Sequence, residues 1–112
     1  SGGELSRLGL ALALAGNPQI LILDEVFASI DRNLQKRFMA ILKDHVKNSH
    51  KAVILVTHNM AVLENFVDTI LVLKKGQVTD YLSTKELFRQ PVSEYLGSLI
   101  QAYEKLYKSG PV

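Results

Sequence analysis

Ile20-Leu21-Ile22-Leu23-Asp24-Glu25 is a short apolar run that ends in two adjacent carboxylates. Gly16-Asn17-Pro18 stands before it as a stop-and-turn signal. A continuous apolar run of this length, bounded by turn signals, reads in an α/β setting as a strand buried on both faces. Asp24 and Glu25 then fall at the carboxyl end of that strand, where open α/β sheets place their ligand sites. Adjacent carboxylates repel each other, and a phosphoryl-transfer site gives the pair a purpose. Such a site needs one carboxylate to hold Mg²⁺, usually through water, and a second group to orient an attacking water. The competing reading is a surface Asp-Glu that caps the next turn.

Upstream, residues 5–15 are rich in Leu and Ala and contain neither Pro nor a β-branched residue, which favours a helix. Apolar residues surround its axis, so it should be largely buried. Gly16 supplies its C-cap and Pro18 stops it. Ser1-Gly2-Gly3-Glu4 opens this helix. A helix N-terminus presents unpaired N–H groups and a positive dipole end, and glycines let an anion approach closely. Glu4 is also placed as a capping-box partner for Ser1, so an ordinary helix start explains the same four residues.

Downstream, Asp31 can cap a second helix running to about residue 48. Leu34, Phe38, Ile41, Leu42 and His45 share one face of it. Residues 52–56 form the next buried strand, ending at Thr57-His58. A short helix over 60–66, a strand over 69–73, a turn at 74–77 and a strand through Tyr81 follow. This alternation marks an α/β domain with a parallel sheet. Leu96, Leu99, Ile100, Tyr103, Leu106 and Tyr107 make a helical stripe with no strand after it, a helical appendage at the domain edge. Residues 109–112 read as a frayed tail. His45 and His50, in or beside a helix, receive no functional role.

Composition narrows the classes. A chain of 112 residues fits one small domain with a real core. A net charge of +2, with scattered basic residues, is too weak to argue for a nucleic-acid or anionic-membrane partner, and no direct nucleic-acid contact is expected. Without cysteine there is no disulfide, thiolate metal site or cysteine nucleophile. No apolar run approaches the roughly 20 residues that span a bilayer, and Ser-Gly-Gly-Glu does not read as a signal peptide. Work at a membrane would proceed by docking onto another subunit.

Taken together, Ser1-Gly2-Gly3-Glu4, the Ile-Leu-Ile-Leu-Asp-Glu run, Asp31 and Thr57-His58 resemble, in order and spacing, the C-terminal half of an ABC-type ATPase nucleotide-binding domain. That resemblance implies a P-loop NTPase fold of mainly parallel strands and helices, using ATP and Mg²⁺. It makes Asp24 the Mg²⁺-associated carboxylate of a Walker B motif, Glu25 the general base and His58 the switch histidine. Ser1, Gly2, Gly3 and Glu4 become the signature that binds the γ-phosphate of ATP held by an opposite subunit, and Asp31 the D-loop residue at that interface. On this basis residues 1–82 form a partial ATPase core and 83–108 a C-terminal helical extension.

The chain departs from the family pattern in places. Glu4 replaces the usual Gln, Leu12 a common Arg, and Val26-Phe27 the common Pro-Thr. The last change leaves the turn after Glu25 less rigidly set. No Gly-rich phosphate loop followed by Lys-Ser or Lys-Thr occurs in the 112 residues, so the chain alone is expected to be inactive. An apolar face is expected where a missing half would pack, inviting self-association.

Glu4 and Val26 resemble the DNA-repair and chromosome-maintenance branch. Residues 67–78 and 83–88 resemble transporter subunits, and 90–100 the extension of peptide- and nickel-type import ATPases. The resemblance therefore implies a subunit at the cytoplasmic face of the membrane. Its partners would be a second, head-to-tail ATPase subunit, transmembrane permease subunits and a solute-binding protein, with a peptide, nickel or metal-chelate cargo. A repair-ATPase head fragment and a non-catalytic interaction fragment are the alternatives.

Overall fold

A computed structural model of the chain describes residues 2–28, 30–87, 89 and 91–107. Ser1, Ser29, Phe88 and the 109–112 tail, all used in the sequence reading, lie outside the described residues. The chain divides into two compact units, Ser1–His58 and Asn59–Val112.

In the first unit, α1 (Gly2–Ala15) leads to β1 (Ile20–Asp24), α2 (Arg32–Ser49) and β2 (Ala52–Val56). Strands β1 and β2 pair in parallel, with Ile20 opposite Ala52 and Asp24 opposite Val56. Parallel pairing needs a long crossover, and α2 supplies it. Asp31 starts α2 as expected: it has an extended backbone, and its Oδ1 accepts the Leu34 N–H at 2.8 Å. Leu34, Phe38 and Leu42 of α2 are buried with Leu21 and Leu23 of β1 and Leu10 of α1. Ile41, expected on the same face, is exposed and lines a shallow cleft between α1 and α2 instead.

Three expectations are corrected here. Strand β1 is not buried on both faces: Leu21 and Leu23 are inside, whereas Ile20 and Ile22 are more than half exposed. In β2, Ile54 and Val56 are likewise exposed. Successive strand residues point to opposite sides, and this unit covers only one side. Helix α1 is not largely buried either, since Leu5, Leu8 and Leu12 face outward while Leu10 is inside. An all-apolar helix needs neighbours all round, and α1 has them on one side. Finally, the left-handed residue ending α1 is Asn17 (φ 49°) rather than Gly16, with the Asn17 N–H donated to the Leu14 carbonyl at 2.9 Å. Asn tolerates this conformation better than most residues. The expected apolar face is present.

The second unit contains α3 (Met60–Phe66), β3 (Thr69–Lys74), β4 (Gln77–Ser83), a single 3-10 turn (Thr84–Glu86) and α4 (Glu94–Tyr107). Strands β3 and β4 are antiparallel. Lys75 (φ 50°) and Gly76 (φ 78°) close them in a two-residue turn of the twist-compatible kind that hairpins prefer. Of residues 83–88, which resemble transporter subunits, only Thr84–Glu86 form a helical turn among the described residues. Ile70, Val72, Leu87 and Leu96 form the core, with Met60, Leu63, Leu82, Val92, Tyr95 and Ile100 packed on it. The expected C-terminal helix is present as α4, in contact with α3 and β4, although Leu106 at its end is exposed. Both units are thus α/β, one with a parallel and one with an antiparallel strand pair.

Candidate functional site

Parallel pairing brings the carboxyl ends of β1 and β2 to the same side of their sheet. The Glu25 N–H donates to the Val56 carbonyl at 2.8 Å and carries the ladder one residue past β1. Glu25 then adopts φ 53°, which turns the chain off the strand. His58 follows just beyond the end of β2. Its Nδ1 lies 2.8 Å from Glu25 Oε1. An ionised carboxylate only accepts, so Nδ1 carries the proton and Nε2 is left for another partner. The pair is open to solvent, with His58 83% and Glu25 38% exposed at the side chain.

Asp24 ends β1 with its side chain exposed. No group of three or more His, Cys, Asp and Glu among the described residues could cage a metal. A single exposed carboxylate such as Asp24 is the kind of ligand that Mg²⁺ takes beside waters and substrate phosphates. Gly2, Gly3 and Glu4 lie in the first turn of α1, where backbone N–H groups have no intrahelical acceptor. Ser1, the first residue of that expected signature, is outside the described residues. Asp31 is engaged as the α2 cap, a task compatible with the D-loop role. The structure therefore joins Glu25 to His58 directly, sets Asp24 beside them along the chain, and gives Asp31 a local task.

Two features escaped the sequence reading. Phe27, expected to loosen the turn, is 5% exposed and packs on Phe38 of α2, with ring centroids 6.2 Å apart. An aromatic side chain of this turn, which lacks Pro, thus lies in the core. An apolar residue between two polar stretches was the available signal. The second feature is Asp80 on β4. Burial works against its charge, but the Ser93 N–H (2.8 Å), the Ser93 hydroxyl and the Thr79 hydroxyl (2.8 Å) all donate to its carboxylate. These bonds prevail and hold the carboxyl below the ordinary range. Ser93 in turn caps α4 through the Leu96 N–H. His45, left without a role, bonds the Pro18 carbonyl through Nε2 at 3.2 Å. Among the described residues, no helix is long and apolar enough to cross a membrane.

Residues 1–64 match the family described as "AAA domain, putative AbiEii toxin, Type IV TA system". The chain is 32% identical over 108 residues to the "Oligopeptide transport ATP-binding protein OppF" of Mycoplasma pneumoniae, covering 96% of this chain and 13% of that protein. It is 33% identical over 102 residues to the "Methionine import ATP-binding protein MetN" of Bordetella pertussis, covering 91% and 28%. Among solved structures it is similar to a bacterial Atm1-family ABC exporter with ATP bound, at a TM-score of 0.75 and 28% identity, over 91% of this chain and 18% of that one. The chain thus spans well under half the length of these relatives.

Proposed function

This chain belongs to the AAA-domain family as an ABC-transporter nucleotide-binding domain, and we propose that it is the stretch from the signature helix onward of an ATP-hydrolysing subunit that energises solute import. The observation that carries this reading is the Glu25–His58 bond at the ends of two parallel strands. Transport is preferred to chromosome maintenance because the similar proteins OppF and MetN carry transport names over nearly the whole of this chain. The cargo we infer is a peptide, nickel or metal-chelate solute. Residues 1–82 then serve as partial core and 83–108 as extension.

Bound ATP and Mg²⁺ would supply the transferable phosphoryl group and the charge that stabilises its transfer. Asp24 would hold the metal, through water. Glu25 accepts a proton from the attacking water and orients it. His58 Nδ1 holds Glu25 Oε1, leaving Nε2 to contact the γ-phosphate. Ser1, Gly2, Gly3 and Glu4 present the start of α1 to the phosphate of ATP on a second, head-to-tail subunit, where the helix N–H groups favour an anion. Asp31 stands at the same interface while capping α2. The assembly docks on permease subunits at the cytoplasmic face of the membrane, fed by a solute-binding protein.

These residues contain no phosphate loop, the element whose Lys and backbone cradle hold the nucleotide. We therefore expect no ATP turnover by the chain alone. Assembled with a phosphate-loop-bearing partner segment, it should hydrolyse ATP, and Glu25→Gln should abolish this. Turnover by the chain alone that Glu25→Gln abolishes would overturn the expected inactivity. Turnover of the assembled enzyme that survives Glu25→Gln would overturn the role of Glu25.

A further inference from the structure

Glu25 sits at φ 53°, a region that residues with a β-carbon occupy at a cost and keep only where surrounding contacts over-determine it. The local devices that ordinarily set such a turn are missing, since no Gly or Pro lies between Glu25 and Asp31. Within the turn, the Ala28 N–H reaches the Glu25 carbonyl at 3.3 Å, longer than the usual range.

Phe27 supplies a stronger hold. Connecting segments ordinarily run in water, yet Phe27 is as buried as the core of β1. Its ring meets Phe38 at an interplanar angle of 44°, within the tilted geometries that aromatic pairs favour. Phe38 is itself 4% exposed and lies on the buried Leu34–Leu42 stripe of α2. The turn is therefore clipped to a helix side rather than stiffened from within.

We propose that Phe27, clipped by Phe38, is the positioning residue that sets the Glu25 turn and so aims the Glu25 carboxylate at His58 Nδ1. A side chain leaves its Cα in a direction fixed by the local backbone. Releasing Phe27 lets Glu25 return to the right-handed region, and the 2.8 Å bond to His58 is lost. The functional meaning rests on Glu25 as the water-activating base, whereas the aiming itself is a separate claim.

The test reads the His58 ring directly, by nitrogen–proton NMR of the 112-residue chain in mildly alkaline solution. The native chain should hold the Nδ1–H tautomer. Glu25→Ala should move it to the Nε2–H-rich mixture of an unpartnered imidazole. Phe27→Ala and the milder Phe38→Leu should move it the same way, with the α2 and β2 amide signals retained. Leu10→Ala, which empties a buried site outside the turn, should leave His58 unchanged. An unchanged tautomer in the folded Phe38→Leu and Phe27→Ala chains, or an equal shift in Leu10→Ala, would overturn the proposal. Survival of ATP turnover in an assembled Glu25→Gln enzyme would instead defeat the base assignment and leave this result standing.

Discussion

His58 Nδ1 and Glu25 Oε1 meet at 2.8 Å across 33 residues of chain. The parallel register that sets Asp24 opposite Val56 makes this possible, because each residue lies just past the end of its strand. If Glu25 is the base, general-base catalysis of about 10²- to 10⁴-fold rests on it. Glu25→Gln should lower the kcat of an assembled ATPase by about that factor. His58→Ala should fall between native and Glu25→Gln, since it loosens the base without removing it. Steady-state turnover at saturating ATP measures both, and a His58→Ala enzyme at native kcat would count against the pairing.

Asp80 leads to a pH prediction. Its hydrogen bonds from Ser93 and Thr79 hold the folded carboxyl below its ordinary range, so the folded state binds fewer protons than the unfolded chain near pH 4. The stabilisation is therefore present above the unfolded value of about 3.9. It is lost as pH falls through the folded value. Acid should weaken the second unit, with its stability falling below about pH 4. Asp80→Asn should be less stable at neutral pH and show a flatter acid dependence.

Ile22 and Ile54 are register partners on the uncovered face of the parallel pair, both more than half exposed. Parallel strands are found almost only with both faces covered. The isolated chain should self-associate with concentration in sedimentation, and Ile22→Lys should shift it toward monomer with little loss of stability. A strictly monomeric native chain would refute the role assigned to this face.

Asp31 has two assignments that one variant separates. Asp31→Ala removes the acceptor for the Leu34 N–H and should cost about 0.5–2 kcal/mol in thermal or urea denaturation. Asp31→Ser should recover most of that stability. If Asp31 also serves the subunit interface, Asp31→Ser should restore stability without restoring turnover of the assembled ATPase.

Much of the site was legible because its signals are local. Ile20-Leu21-Ile22-Leu23 between a turn signal and two carboxylates announces a strand end. Asp31 before an apolar stripe announces a cap, and Lys75-Gly76 between strands a hairpin turn. The burial of Phe27 was silent because its neighbour, Phe38, lies on the next helix. Asp80 was silent because a carboxylate on a strand looks alike whether it faces water or the capping Ser93 of α4.

By itself the sequence determined the order of most helices and strands, the α/β class, and the strand-end Asp24-Glu25 pair that could serve a phosphoryl-transfer site. Those follow from periodicity, capping and turn chemistry, which act over a few residues. Only the tertiary structure decided that Glu25 takes a left-handed backbone and bonds His58, that Phe27 is buried, and which faces of α1 and β1 stay open. Each of these depends on what lies across space, and neither the spacing of residues along the chain nor their polarity specifies that neighbour.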